Sequence, residues 1–121
     1  MIYVEDYPQY QKDLKKLLKR YGSLKEDIEI LKSSSIELHH SKAKIDNGGI
    51  KEIKNIKSNK FTAYKVKKFA CKSLKGEGNR SGLRPIYTFC PLENKITFIE
   101  LYHKQDKENE DKERLNSFLK E

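Results

Sequence analysis

Three short runs of this chain carry side chains suited to work on a phosphate ester. In Tyr64-Lys65-Val66-Lys67 the lysines alternate with apolar residues. On a strand, Lys65 and Lys67 therefore share one face while Tyr64 and Val66 turn to the core. Gly82-Leu83-Arg84-Pro85-Ile86-Tyr87 opens a second β-rich run with a guanidinium, and Ile96 to His103 closes a third on Tyr102-His103. Gathered on the open side of one sheet, these groups fit metal-free RNA cleavage. That reaction needs a 2′-hydroxyl to lose a proton, the leaving 5′-oxygen to gain one, and cations to neutralise charge on the phosphorane. The same residues also fit a solvated sheet face with a histidine at a strand end.

The elements that must hold these groups can be read from periodicity. Tyr10, Leu14, Leu17, Leu18 and Tyr21 line one side of a helix that has Pro8 near its start and Gly22 at its end. Ser23-Leu24-Lys25-Glu26 reads as a capping box that opens a second helix with Leu24, Ile28 and Leu31 inward. This helix is expected to fray in Ser33-Ser34-Ser35, with Ile36 and Leu38 able to extend it. Asn47-Gly48-Gly49 reads as a turn, and Ile50, Ile53 and Ile56 leave helix or strand open. Strands are expected over 61–69, 85–90 and 96–103, with a glycine-rich loop over 76–82 and a turn at 91–95. Acidic residues followed by Leu115, Phe118 and Leu119 predict a last helix over 111–120. The sum is an α+β fold: an N-terminal antiparallel helical hairpin on one face of a small, mainly antiparallel sheet, with a C-terminal helix. The 121 residues are expected to form a single domain, 1–121.

Charge is distributed unevenly. The chain carries a formal net charge of +8, but residues 42–84 alone hold 13 Lys/Arg against three acids, whereas 85–121 carry six bases against eight acids. A basic middle third suits a polyanion, either nucleic acid or an acidic protein segment. Cys71 and Cys90 are too few for a disulfide framework, and no spacing of Cys or His marks a zinc site, so neither metal nor cofactor is expected. Gly76, Gly78 and Gly82 miss the dinucleotide fingerprint by one residue and fall between strands. No apolar run approaches the ~18 residues of a membrane span, and the N-terminus lacks a secretory pattern. A cytoplasmic protein with no membrane partner is the expectation.

Taken in order, the helical pair, the Tyr64-Lys65-Val66-Lys67 strand, Gly82-Leu83-Arg84-Pro85-Ile86-Tyr87 and Ile96–Lys104 resemble the RelE/ParE superfamily of toxins over essentially the whole chain. Tyr102-His103 matches the strand end of the YoeB-like branch. Gln105 and Asp111 stand where RelE itself has an arginine and a tyrosine, so those two roles do not carry over. The resemblance implies an endoribonuclease toxin that cleaves mRNA at the ribosome, with Arg84 and Lys67 stabilising the phosphate, Lys65 positioning RNA or acting as base, and His103 as acid or base. Arg80, Lys68, Lys72, Lys75, Tyr87 and Tyr102 complete the expected RNA-contacting set. A cognate antitoxin, in a toxin-antitoxin hetero-oligomer, is the implied protein partner. ParE-type relatives share the fold and poison DNA gyrase, so a gyrase-binding toxin or a plain nucleic-acid-binding module is the alternative.

Overall fold

The structure is a computed structural model, and it describes residues 2–40, 49–54, 56 and 58–121. Asn47 and Gly48 of the expected turn lie outside these residues. Five strands form one mixed sheet: β1 (Tyr3–Asp6), β2 (Ile50–Glu52), β3 (Thr62–Val66), β4 (Leu83–Cys90) and β5 (Lys95–His103), in the order β1-β5-β4-β3-β2. β1 runs parallel to β5 and every other pair is antiparallel. The helices are α1 (Pro8–Leu18), α2 (Leu24–Leu31), α3 (Glu37–His39) and α4 (Lys112–Leu119).

The periodic apolar residues of α1 and α2 account for the first core. Tyr10, Leu17, Leu24, Ile28 and Leu31 pack on Val66, Leu83, Tyr87, Ile96, Phe98 and Leu101 from one sheet face. α1 rests on β5 more than on α2. The expected capping box at Ser23 does not form. Its hydroxyl instead donates to Asp27 Oδ2 at 2.7 Å and receives the amide and hydroxyl of Ser73, tying the β3–β4 loop to the start of α2. The helix does not fray at the serines, and Ile36 and Leu38 extend it. It passes through a π-helical turn, Lys32–Ile36, in which Ser34 Oγ donates to the Ile30 carbonyl at 2.6 Å and Ser33 Oγ reaches those of Glu29 and Ile30. Hydroxyls that bond back to the preceding turn occupy carbonyls that the widened helix loosens.

A second apolar cluster lies on the opposite face, where Leu115 of α4 packs with Ile53, Ala63, Ile86, Ile99 and Tyr102, flanked by Phe118 and Leu119. Periodicity alone put every helix on one side. In fact α4 covers part of the face expected to be open, because its Leu115-Phe118-Leu119 stripe needs a surface and β4 supplies one. Ile86 points there while Tyr87 points to the first core, so this central strand is apolar on both faces. Asp111 caps α4 by accepting the Arg114 amide at 3.0 Å.

β5 changes the direction of its side chains part-way along. Ile86 pairs with Glu100 but Tyr87 with Phe98, leaving Ile99 as an extra residue in a β-bulge. Ile96 and Phe98 face the first core. Without the bulge, strict alternation would put Tyr102 on that side and His103 on the other. With it, Leu101 rejoins the first core and Tyr102 the second. Beyond β1, the exposed edge of β5 is satisfied by side chains from both layers: the Leu101 amide donates to Asp13 Oδ2 at 3.0 Å and Arg114 Nη1 to the Ile99 carbonyl at 3.1 Å. Arg114 also pairs with Asp13 at 2.6 Å, which clamps α4 to α1 across that edge.

Candidate nucleic-acid interface

The α4-side face beyond the second cluster carries the polar groups. Lys65 comes from β3, Arg84 from the start of β4, and Tyr102 lies directly across from Arg84 on β5. Lys67 follows β3 and is exposed. The Arg84 guanidinium donates to the Lys67 carbonyl at 3.1 Å, so its position is fixed by the neighbouring chain rather than left to solvent. Gly82, two residues before Arg84, has a φ of +83° and packs so closely on His103 that no side chain fits there.

Tyr102 is buried beside Arg84. Burial, with Glu110 and Glu100 adding to it, pushes its hydroxyl up to about 12, so at neutral pH it is a phenol that can donate a hydrogen bond. The Lys107 ammonium stands 5.3 Å from the centre of its ring. Lys65 pairs with Glu110 at 2.6 Å, and the two side chains are only 16% and 7% exposed. Burial works against the Glu110 carboxylate, but the Lys65 ammonium outweighs it and holds the Glu110 pKa below its ordinary value. Glu100, turned toward the α4 layer by the bulge, accepts the Asp111 amide at 2.7 Å and pairs with Lys107.

The other expected residues fall elsewhere. His103 is buried on the first-core side, its ring stacked on Tyr21 at 6.2 Å. Its Nδ1 accepts the Gln105 amide at 3.1 Å and its Nε2 lies 2.9 Å from the Ser81 carbonyl, a pairing that specifies the Nε2–H tautomer. The bulge at Ile99 is the physical reason that His103 and Arg84 occupy opposite faces. Tyr87 is fully buried, stacked on Tyr64 at 5.3 Å and 2.8 Å from His40 Nε2. Lys68, Lys72, Lys75 and Arg80 are exposed along the β3–β4 connection. Lys72 is paired there with Glu26 of α2 at 2.5 Å, and Lys68 packs over Gly49.

The face also gains residues that the sequence reading did not assign. Lys51, Lys54 and Lys112 join Lys65 and Lys67 around Glu110 in a cleft at the β2 edge. The signal for Lys51 was Ile50-Lys51, the same apolar-cation alternation as in β3 but in a strand of three residues, whereas Lys112 opens α4 and carries no such mark. Among the described residues, no group of three or more His, Cys, Asp or Glu is placed to hold a metal ion, and no helix is long and apolar enough to cross a membrane. Cys71 and Cys90 are free and buried.

No protein-family model matches the chain, and no curated protein matches it. Similarity is found among solved structures. The RelE–RelB complex from the archaeon Pyrococcus horikoshii OT3 superposes at a TM-score of 0.52, covering 88% of this chain and 98% of the other at 15% identity. The fold is that of RelE. A conserved hypothetical protein of Helicobacter pylori, HP0892, is 18% identical over 88% of this chain and 98% of its own, at a TM-score of 0.44 that adds nothing to this. Within the RelE fold, the sheet positions of Lys65, Arg84 and Tyr102 are set by this chain's own strand register.

Proposed function

We propose that this protein is the toxin of a toxin-antitoxin pair and acts as a metal-independent endoribonuclease on messenger RNA at the ribosome. The observation that carries the reading is the Arg84 guanidinium held against the Lys67 carbonyl, on the same face as Lys65 and Tyr102. A forked donor fixed in advance can meet two phosphate oxygens and stabilise charge as it develops on them. In this account the 2′-hydroxyl gives its proton to solvent water as its oxygen bonds to phosphorus and displaces the 5′-oxygen of the next nucleotide, Arg84 and Lys67 neutralise the phosphorane, and the Tyr102 phenol or the Lys65 ammonium supplies a proton to the leaving oxygen and is reprotonated from solvent. The RelE fold supports an antitoxin as partner, and the basic middle third offers it a surface.

A second reading is favoured by one observation. With His103 turned to the first core, the RNA face lacks the imidazole expected there, which fits a toxin that binds its target without cutting RNA, as a gyrase-directed toxin does. Inducing the gene in a host and mapping messenger 5′-ends separates the two. New 5′-ends within translated regions, lost in Arg84→Ala, support cleavage. Growth arrest with intact messages supports the second reading.

A further inference from the structure

The cleft at the β2 edge is an arrangement that folding alone does not favour. It has a volume of about 250 Å³ and is lined by Lys51, Lys54, Lys65, Lys67 and Lys112 against Glu52 and Glu110. Lys51 and Lys65 are direct partners across the antiparallel β2–β3 pair, so their side chains leave the same face side by side. Like charges in that relation destabilise a sheet. Lys51, Lys54, Lys67 and Lys112 are exposed, and among the described residues none has a carboxylate within ion-pairing distance. The single neutralising pair there is Glu110 with Lys65, made by a carboxylate that is itself almost fully covered. The Glu110 carboxylate thus neutralises Lys65 within a cleft whose five lysines outnumber its two glutamates.

We propose that this cleft is a second phosphate subsite, which holds the backbone of single-stranded RNA flanking the phosphate at Arg84, and that Glu110 is an internal stand-in displaced when a phosphate enters. The inference rests on the RNA reading given above. Its continuity with the Arg84 site comes from Lys65 and Lys67, which belong to both: Lys67 supplies the carbonyl that holds Arg84 and also lines the cleft. Lysines suit this role because compact ammonium groups on flexible stems follow a variable backbone without reading sequence. With no aromatic side chain in the lining, the subsite provides electrostatic attraction and no base stacking. Glu110 then makes occupancy competitive. RNA must replace an ion pair already formed, so weak or short polyanions are disfavoured relative to a strand that also engages Arg84.

The test uses the whole chain and a single-stranded oligonucleotide with 2′-deoxy substitution, so that binding is read without cleavage. Affinity is measured across a salt series by fluorescence anisotropy for the wild type, Lys51→Ala/Lys54→Ala, Lys112→Ala, Glu110→Gln and an α1 control, Lys15→Ala/Lys16→Ala. Every phosphate that a variant no longer neutralises should lower the slope of log affinity against log salt by ~0.7. The double variant at residues 51 and 54 should therefore lose up to ~1.4 of slope. Lys112→Ala should lose about half as much, Glu110→Gln should bind more tightly than the wild type, and the control should match it. All the altered lysines are exposed, so folding is not in question. If binding falls in Arg84→Ala but Lys51→Ala/Lys54→Ala keeps the wild-type slope, the subsite is overturned while the RNA reading stands. If the wild type shows no binding at any salt concentration, the subsite is overturned, and the RNA reading then stands or falls on the messenger 5′-ends.

Discussion

A Cβ built on Gly82 would stand 2.8 Å from both Cε1 and Nε2 of His103. Backbone and ring therefore occupy space that no other residue type would leave free, and the loop before Arg84 is locked to the end of β5. The Lys104 amide completes the lock by donating to the Gly82 carbonyl at 2.8 Å. Gly82→Ala combines this overlap with a φ of +83°, and is expected to cost at least ~2 kcal/mol in urea denaturation. Gly78→Ala, at a φ of +57° with nothing within 4 Å, should cost only ~1 kcal/mol. Equal costs for the two would mean that the His103 packing is not rigid.

Leu115 is 1% exposed, and it anchors α4 over Ile86 and Ile99. An expendable cover would tolerate its truncation. The second cluster predicts instead that Leu115→Ala loses ~2–4 kcal/mol, measured by chemical denaturation, because a buried leucine leaves a cavity as well as lost transfer energy. A loss below ~1 kcal/mol would show that α4 is only loosely held.

The framework was legible in the sequence wherever one physical signal dominated. The spacing of Tyr10, Leu14, Leu17 and Tyr21 has no counterpart in a strand, and Ile86-Tyr87-Thr88-Phe89 is apolar on both sides because β4 is central, with β5 and β3 as its neighbours. β1 was missed because Tyr3–Asp6 is four residues with every side chain exposed, paired only through its backbone. Two of the expected site residues, Tyr87 and His103, lie on the first-core side. Ile96 to His103 is apolar almost throughout, so nothing in it marks Ile99 as the extra residue that sends His103 to the other face. Lys65, Lys67 and Arg84 were legible because Val66 and Leu83 beside them are unambiguous core residues.

His40 provides a pH dependence. Burial, with His39 nearby, lowers its pKa from 6.5 to about 4 in the folded chain. Between these values the unfolded chain takes up a proton that the folded chain refuses. This contribution to stability is therefore complete above about 6.5 and lost as pH falls toward about 4. Urea midpoints for the wild type and His40→Phe should diverge at neutral pH and converge across that window. Parallel curves would show that His40 is solvated.

The account rests most heavily on Arg84, whose guanidinium is aimed by its bond to the Lys67 carbonyl. Single-turnover cleavage of ribosome-bound message, measured alongside RNA affinity for the wild type and Arg84→Lys, tests it most directly. Charge is conserved in this variant, so affinity should barely change, while the rate should fall ~100-fold, as expected for the loss of one preorganised donor. Full activity in Arg84→Lys, or equal losses of rate and affinity, would contradict the assignment of Arg84 to the reacting phosphate.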